Sequence, residues 1–155
     1  MRIGIQQTAL GEASLVKSFI RAARAGTEGI GLCYRTAEEA RCLGDPRYVV
    51  KVRALVERFG LAVTGLHLGV LCADQSLIGP LPLIIQSQDL VRLAITVAAK
   101  LGSPDVVVPF FGRNRIELPK EFDTAAAAMS DLAEAAEDHG VTLAIESSLH
   151  LSQLQ

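Results

Sequence analysis

Four glycines divide this chain into pieces of similar length: Gly26, Gly60, Gly102 and Gly140, separated by 34, 42 and 38 residues. Each follows an apolar pattern of helical period, in Ala25-Gly26, Phe59-Gly60, Leu101-Gly102 and His139-Gly140, and precedes a short apolar run. Gly is favoured just past a helix end because it takes the left-handed conformation there without a steric penalty. The spacing is that of one strand-plus-helix unit. The chain therefore repeats an architecture without closely repeating its residues. Strands that alternate with helices pair in parallel through right-handed crossovers.

The pattern predicts strand one over about residues 2–6. A helix follows over 14–25, with Leu15, Phe19, Ile20 and Ala23 on one face. Strand two covers 29–34 and a short helix 36–43. Asp45-Pro46, an N-cap followed by Pro at the first helical position, opens a helix that reaches Phe59. Strand three covers 61–68, a long loop 69–87 and a helix 88–101. Strand four covers 105–110, a loop 111–118, a helix 119–139, and strand five 141–145.

Half of the 155 residues are apolar and 21% are charged, which suits one globular domain over residues 1–155 with a parallel sheet covered by helices. Lys and Arg number 15 against 17 Asp and Glu, a net charge of −2, so no nucleic-acid partner is expected. No apolar run approaches the roughly 18 residues of a membrane span, and no membrane partner is expected. Three cysteines without CxxC spacing suggest neither a disulfide framework nor a zinc knuckle; reduced thiols and a cytoplasmic location are the expectation.

Two architectures fit: an open doubly wound, flavodoxin-like sheet, or part of a (β/α)8 barrel. After strand one stands Gln6-Gln7-Thr8-Ala9-Leu10, with neither GxGxxG nor GxxxxGK[ST]. Only nine residues follow Glu146, too few for the helix that closes a flavodoxin-like domain. The expected fold is α/β: a partial barrel of five parallel strands in the order 1-2-3-4-5.

Such folds carry their chemistry at the C-terminal ends of the strands. Glu146, ending strand five after Leu143-Ala144-Ile145, is positioned to bind a metal or move a proton. His67, near the end of strand three, suits a substrate hydroxyl or a metal. Gln6 and Tyr34 end strands one and two at the same mouth. Arg113, Asn114 and Arg115, in the loop after strand four, suit a phosphate or carboxylate. Each has a plainer reading: a solvated strand end for Glu146, a hydrogen-bonded core histidine for His67, a solvated basic loop for residues 113–115. Cys33 reads as a small core hydrophobe, His139 as a helix terminator and His150 as a tail residue.

Several segments together resemble the xylose isomerase-like TIM-barrel superfamily. They are Ile3-Gly4-Ile5, Leu66-His67-Leu68, Ala98-Ala99-Lys100-Leu101-Gly102 before Val106-Val107-Val108-Pro109-Phe110-Phe111-Gly112, and Leu143-Ala144-Ile145-Glu146. The resemblance covers about the first five-eighths of a family member. It implies a metal-dependent sugar or sugar-phosphate isomerase or epimerase that abstracts a proton beside a carbonyl. It also implies a divalent ion (manganese, magnesium, cobalt or zinc) held by a Glu on strand five, matched by Glu146, and by ligands on strands six to eight, which have no counterpart here. His67 matches a position that often contacts substrate. The family's endonucleases carry a further His near the end of strand four; Phe110-Phe111 stands there instead. The alternative to an enzyme is a non-catalytic oligomeric or binding remnant. Unpaired edges at strands one and five lead to an expectation of self-association.

Overall fold

The computed structural model describes residues 3–12 and 14–148. Strands β1 (Gly4–Gln6), β2 (Gly29–Cys33), β3 (Ala62–His67), β4 (Asp105–Phe110) and β5 (Thr142–Ser147) form one parallel sheet in the order β1-β2-β3-β4-β5. Between them run helices α1 (Leu15–Arg24), α2 (Ala37–Ala40), α3 (Pro46–Phe59), α4 (Leu81–Leu101) and α5 (Pro119–Asp138). The long helices touch in succession, α1 to α3, α3 to α4 and α4 to α5. A doubly wound sheet reverses its strand order and carries helices on both faces. This one does neither, so the flavodoxin-like alternative falls and the fold is a partial (β/α)8 barrel.

The helix ends explain the glycine spacing. Gly26, Gly60, Gly102 and Gly140 have φ of 72°, 64°, 67° and 64°, the left-handed conformation in which each helix stops. Asp45 caps α3 by accepting from the Arg47 N–H at 3.0 Å. Glu121 reaches back from the first turn of α5 to accept from the N–H groups of Glu117 and Leu118, both at 2.9 Å.

The core lies between the outer face of the sheet and the helices. Ile30, Leu32, Val63, Leu66, Val106 and Val108 alternate outward and are buried in the same cluster as Phe19, Val52, Val91 and Ile95. By length and composition α4 would suit a membrane span, but its Val91, Ala94, Ile95, Val97 and Ala98 are buried, and the helix contacts β3 and β4. The inner face is sparse. Gly4, Gly29 and Gly31 lie there around Thr64, an extra residue in β3 where its register with β2 shifts.

Two stretches depart from the sequence-based boundaries. The expected loop over 69–87 is shorter: Gly69–Cys72 forms a 3-10 turn and α4 starts at Leu81, seven residues before the predicted Gln88. Pro80 and Pro82 read as helix breakers, yet Pro is tolerated in a first turn, where its missing N–H would have no partner anyway. The expected helix over 36–43 is one α-turn capped by Thr36, followed by a 3-10 turn at Arg41–Gly44.

Candidate functional site

β3 and β5 flank β4, and their alternation brings His67 and Glu146 to the inner face at the C-terminal end of the sheet. His67 is in register with Val107, and Glu146 with Pro109. The two side chains meet across β4: His67 Nε2 lies 2.9 Å from Glu146 Oε2. The Glu146 side chain is 51% exposed and that of His67 21%, so the pair faces solvent and can be reached.

A third residue completes the cluster. Cys33 ends β2 in register with His67, and its Sγ is 3.5 Å from His67 Nδ1. Burial, and next the Glu39 carboxylate, push the Cys33 thiol above its ordinary value, so it keeps its proton. An ionised carboxylate only accepts. With the His67 proton on Nε2, both contacts are hydrogen bonds: the Cys33 S–H donates to Nδ1, and Nε2–H donates to Glu146. Cys72, on the other side, is also raised, first by burial and further by the charge of Glu146.

The other candidates are dispersed. Gln6 is exposed on β1, beside Gly31. Tyr34 is only 3% exposed; its hydroxyl is 2.9 Å from that of Tyr48, and burial drives it well above the ordinary phenol range. It borders a cavity of about 390 Å³ that Cys33 also lines. Asn114 is fully buried and its amide is spent within the protein. Its Oδ1 accepts from the Leu77 N–H at 2.7 Å and the Ser76 hydroxyl at 3.3 Å, and its Nδ2 donates to the Pro109 carbonyl at 2.8 Å. Fully buried, with both amide atoms bonded inside the protein, Asn114 clamps two loops together and does not face the mouth of the site. Gly112 tightens the same junction, since a Cβ there would come within 2.4 Å of the Cys72 carbonyl oxygen. Arg113 and Arg115 are exposed and line a separate surface cavity of about 350 Å³; Arg115 pairs with Glu117 at 3.5 Å. His139 closes α5 as expected, its Nδ1 bonding the Ala135 carbonyl at 2.8 Å. His150 lies outside the described residues.

Sequence reasoning missed Cys33 and Gln7, whose Oε1 accepts the Cys33 N–H at 3.3 Å. The alternation Gly29, Gly31, Cys33 was the available signal, since it places the thiol on the inner face at the strand end. Among the described residues no three His, Cys, Asp or Glu side chains converge on one point. Among the described residues, a divalent ion at Glu146 would meet only His67 as a further donor, fewer than a metal centre requires.

Residues 19–148 match the family model described as xylose isomerase-like TIM barrel. The chain belongs to this family. Solved structures agree in fold. A D-tagatose 3-epimerase-like protein aligns with a TM-score of 0.73 at 19% identity, covering 94% of this chain and 52% of its own. The 3-keto-D-glucoside 4-epimerase YcjR from E. coli gives 0.71 at 17% identity, with 94% and 55% covered. A D-allulose 3-epimerase from Methylomonas sp., in complex with D-allulose, gives 0.69 at 22%, with 94% and 50% covered. The chain thus spans about half the length of the solved structures it matches. No match was found among curated proteins.

Proposed function

We propose that this chain carries part of the active site of a sugar or sugar-phosphate isomerase or epimerase, with Glu146 as its proton-transfer group. The observation that supports this most directly is the 2.9 Å contact between His67 and Glu146 at the C-terminal ends of β3 and β5. Glu146 is open to solvent on one side, so a substrate carbon can approach its carboxylate. As a base it takes the proton from the carbon beside the carbonyl; as an acid it returns one. His67, held by Cys33, donates Nε2–H to the Glu146 carboxylate and so holds it in place at the mouth of the site. In the family a divalent metal polarises the carbonyl. Glu146 and His67 alone do not make a site for that ion, and proton transfer by Glu146 rests on its own geometry.

Solvent exchange tests the reading without requiring full turnover. In D2O, wild-type protein should wash deuterium into the carbon next to the carbonyl of a ketohexose, followed by NMR. Glu146→Gln should abolish the wash-in. No exchange with any ketohexose would overturn the proposal.

A second reading is a binding module that associates with itself. Ile3 beside β1 and Ile145 on β5 are 61% and 54% exposed, next to strand edges with no partner strand among the described residues. Sugar binding without deuterium exchange, together with a dimer by light scattering, would favour it.

A further inference from the structure

The cavity of about 390 Å³ beside β1 and β2 plays no part in the proton transfer above. It lies between the segment after β1, with Gln7, Thr8 and Glu12, and the segment after β2, with Tyr34, Glu39 and Tyr48. Cys33 belongs to both sites: it lines the cavity, and its Sγ touches the His67 ring. The cavity therefore begins one side chain away from the His67–Glu146 pair.

Its charges cancel in pairs. Arg35 Nη2 is 2.7 Å from Glu39 Oε1, and Arg21 Nε is 3.2 Å from Glu12 Oε1. Burial keeps the two tyrosine hydroxyls protonated. The cavity thus offers amide, hydroxyl and paired carboxylate groups but no uncompensated cation. A phosphate seeks free guanidinium or ammonium donors. A polyol, each of whose hydroxyls donates and accepts, matches a neutral mixed lining. The volume lies near the small end of ligand cavities, about 300–1,000 Å³, and suits one sugar ring.

We propose that this cavity is a second sugar subsite: it takes the glycosyl unit of a ketose glycoside whose reacting carbon lies at Glu146, and it disfavours phosphorylated sugars. The proposal rests on the proton-transfer reading of Glu146 and names its substrate class. Titration calorimetry with isomaltulose (a glucosyl-fructose), fructose and fructose 6-phosphate tests it on the 155-residue protein. Isomaltulose should bind at least about tenfold tighter than fructose, and fructose 6-phosphate no tighter than fructose. Thr8→Trp, a substitution at an exposed position that fills the cavity, should remove the isomaltulose advantage and leave fructose binding unchanged. Glu39→Gln frees Arg35 and should shift preference toward the phosphate. Equal affinities for the three sugars, a phosphate preference in the wild type, or an isomaltulose advantage that survives Thr8→Trp would overturn the subsite. If fructose undergoes deuterium exchange but isomaltulose gains nothing, the subsite alone fails. If isomaltulose binds in a Thr8-dependent manner without exchange, the subsite stands and the proton-transfer reading fails.

Discussion

Two polar clusters sit at the same end of the sheet, and they differ in what surrounds them. Around Asn114, three hydrogen bonds join β4, the 111–118 loop and the segment before α4, all sealed from water. Around Glu146, a carboxylate and an imidazole meet at 2.9 Å with one side open. A polar group that is sealed from water and bonded inside the fold holds loops together. A polar group with capacity left toward solvent is available to a ligand. Residue type and position at a strand end do not separate the two cases; burial and partner count do.

The comparison can be broken at either cluster. Glu146→Gln should lower deuterium exchange by about a thousandfold, within the range for loss of an acid–base group. Its unfolding free energy in urea should stay within about 0.5 kcal/mol of wild type, because the side chain is half exposed. Asn114→Ala should do the reverse: it strands the buried Leu77 N–H and Pro109 carbonyl and destabilises by about 2–4 kcal/mol in urea titration. A Glu146 variant that unfolds early, or an Asn114 variant as stable as wild type, would dissolve the distinction.

Smaller effects sharpen it. Cys33 has its thiol raised above 9.0, chiefly by burial, so iodoacetamide should label it about tenfold more slowly near pH 8 than an exposed thiol. Mass spectrometry of the labelled peptides checks this, and labelling as fast as a free thiol would remove Cys33 as the S–H donor to His67. Arg35 holds the Glu39 carboxyl below its ordinary 4.5, first through their hydrogen bond. A depressed value in the folded state means the pair stabilises the fold above the unfolded value, and the contribution is lost as pH falls through the folded one. The side chains are 59% and 36% exposed, so solvent screens the pair and the loss between about pH 5 and 3 should be only about 0.2–0.5 kcal/mol. Denaturation of wild type and Glu39→Gln across that range measures it; an equal pH dependence in both would show that the pair contributes nothing.

Much of the fold was legible because its signals are local. Gly26, Gly60, Gly102 and Gly140 each end a helix, and apolar runs of four to six residues between them leave few options but buried parallel strands. His67 and Glu146 were legible for the same reason: strand alternation places each on a face and each lies near a strand end. Asn114 was not legible, because an exposed loop amide and a buried clamp look identical until the segment around Ser76 folds over it. The start of α4 was not legible either, since Pro80-Leu81-Pro82 reads as a break unless Leu81 is known to begin a helix.

The sequence by itself determined the number of strand-and-helix units, their parallel pairing and the two polar side chains at the mouth, because periodicity and chain direction are properties of neighbouring residues. Only the tertiary structure decided that Cys33 touches His67 and that Asn114 is sealed while Glu146 stays open. Those outcomes depend on which segments, distant along the chain, come to cover one another, and so on which polar groups lose their water.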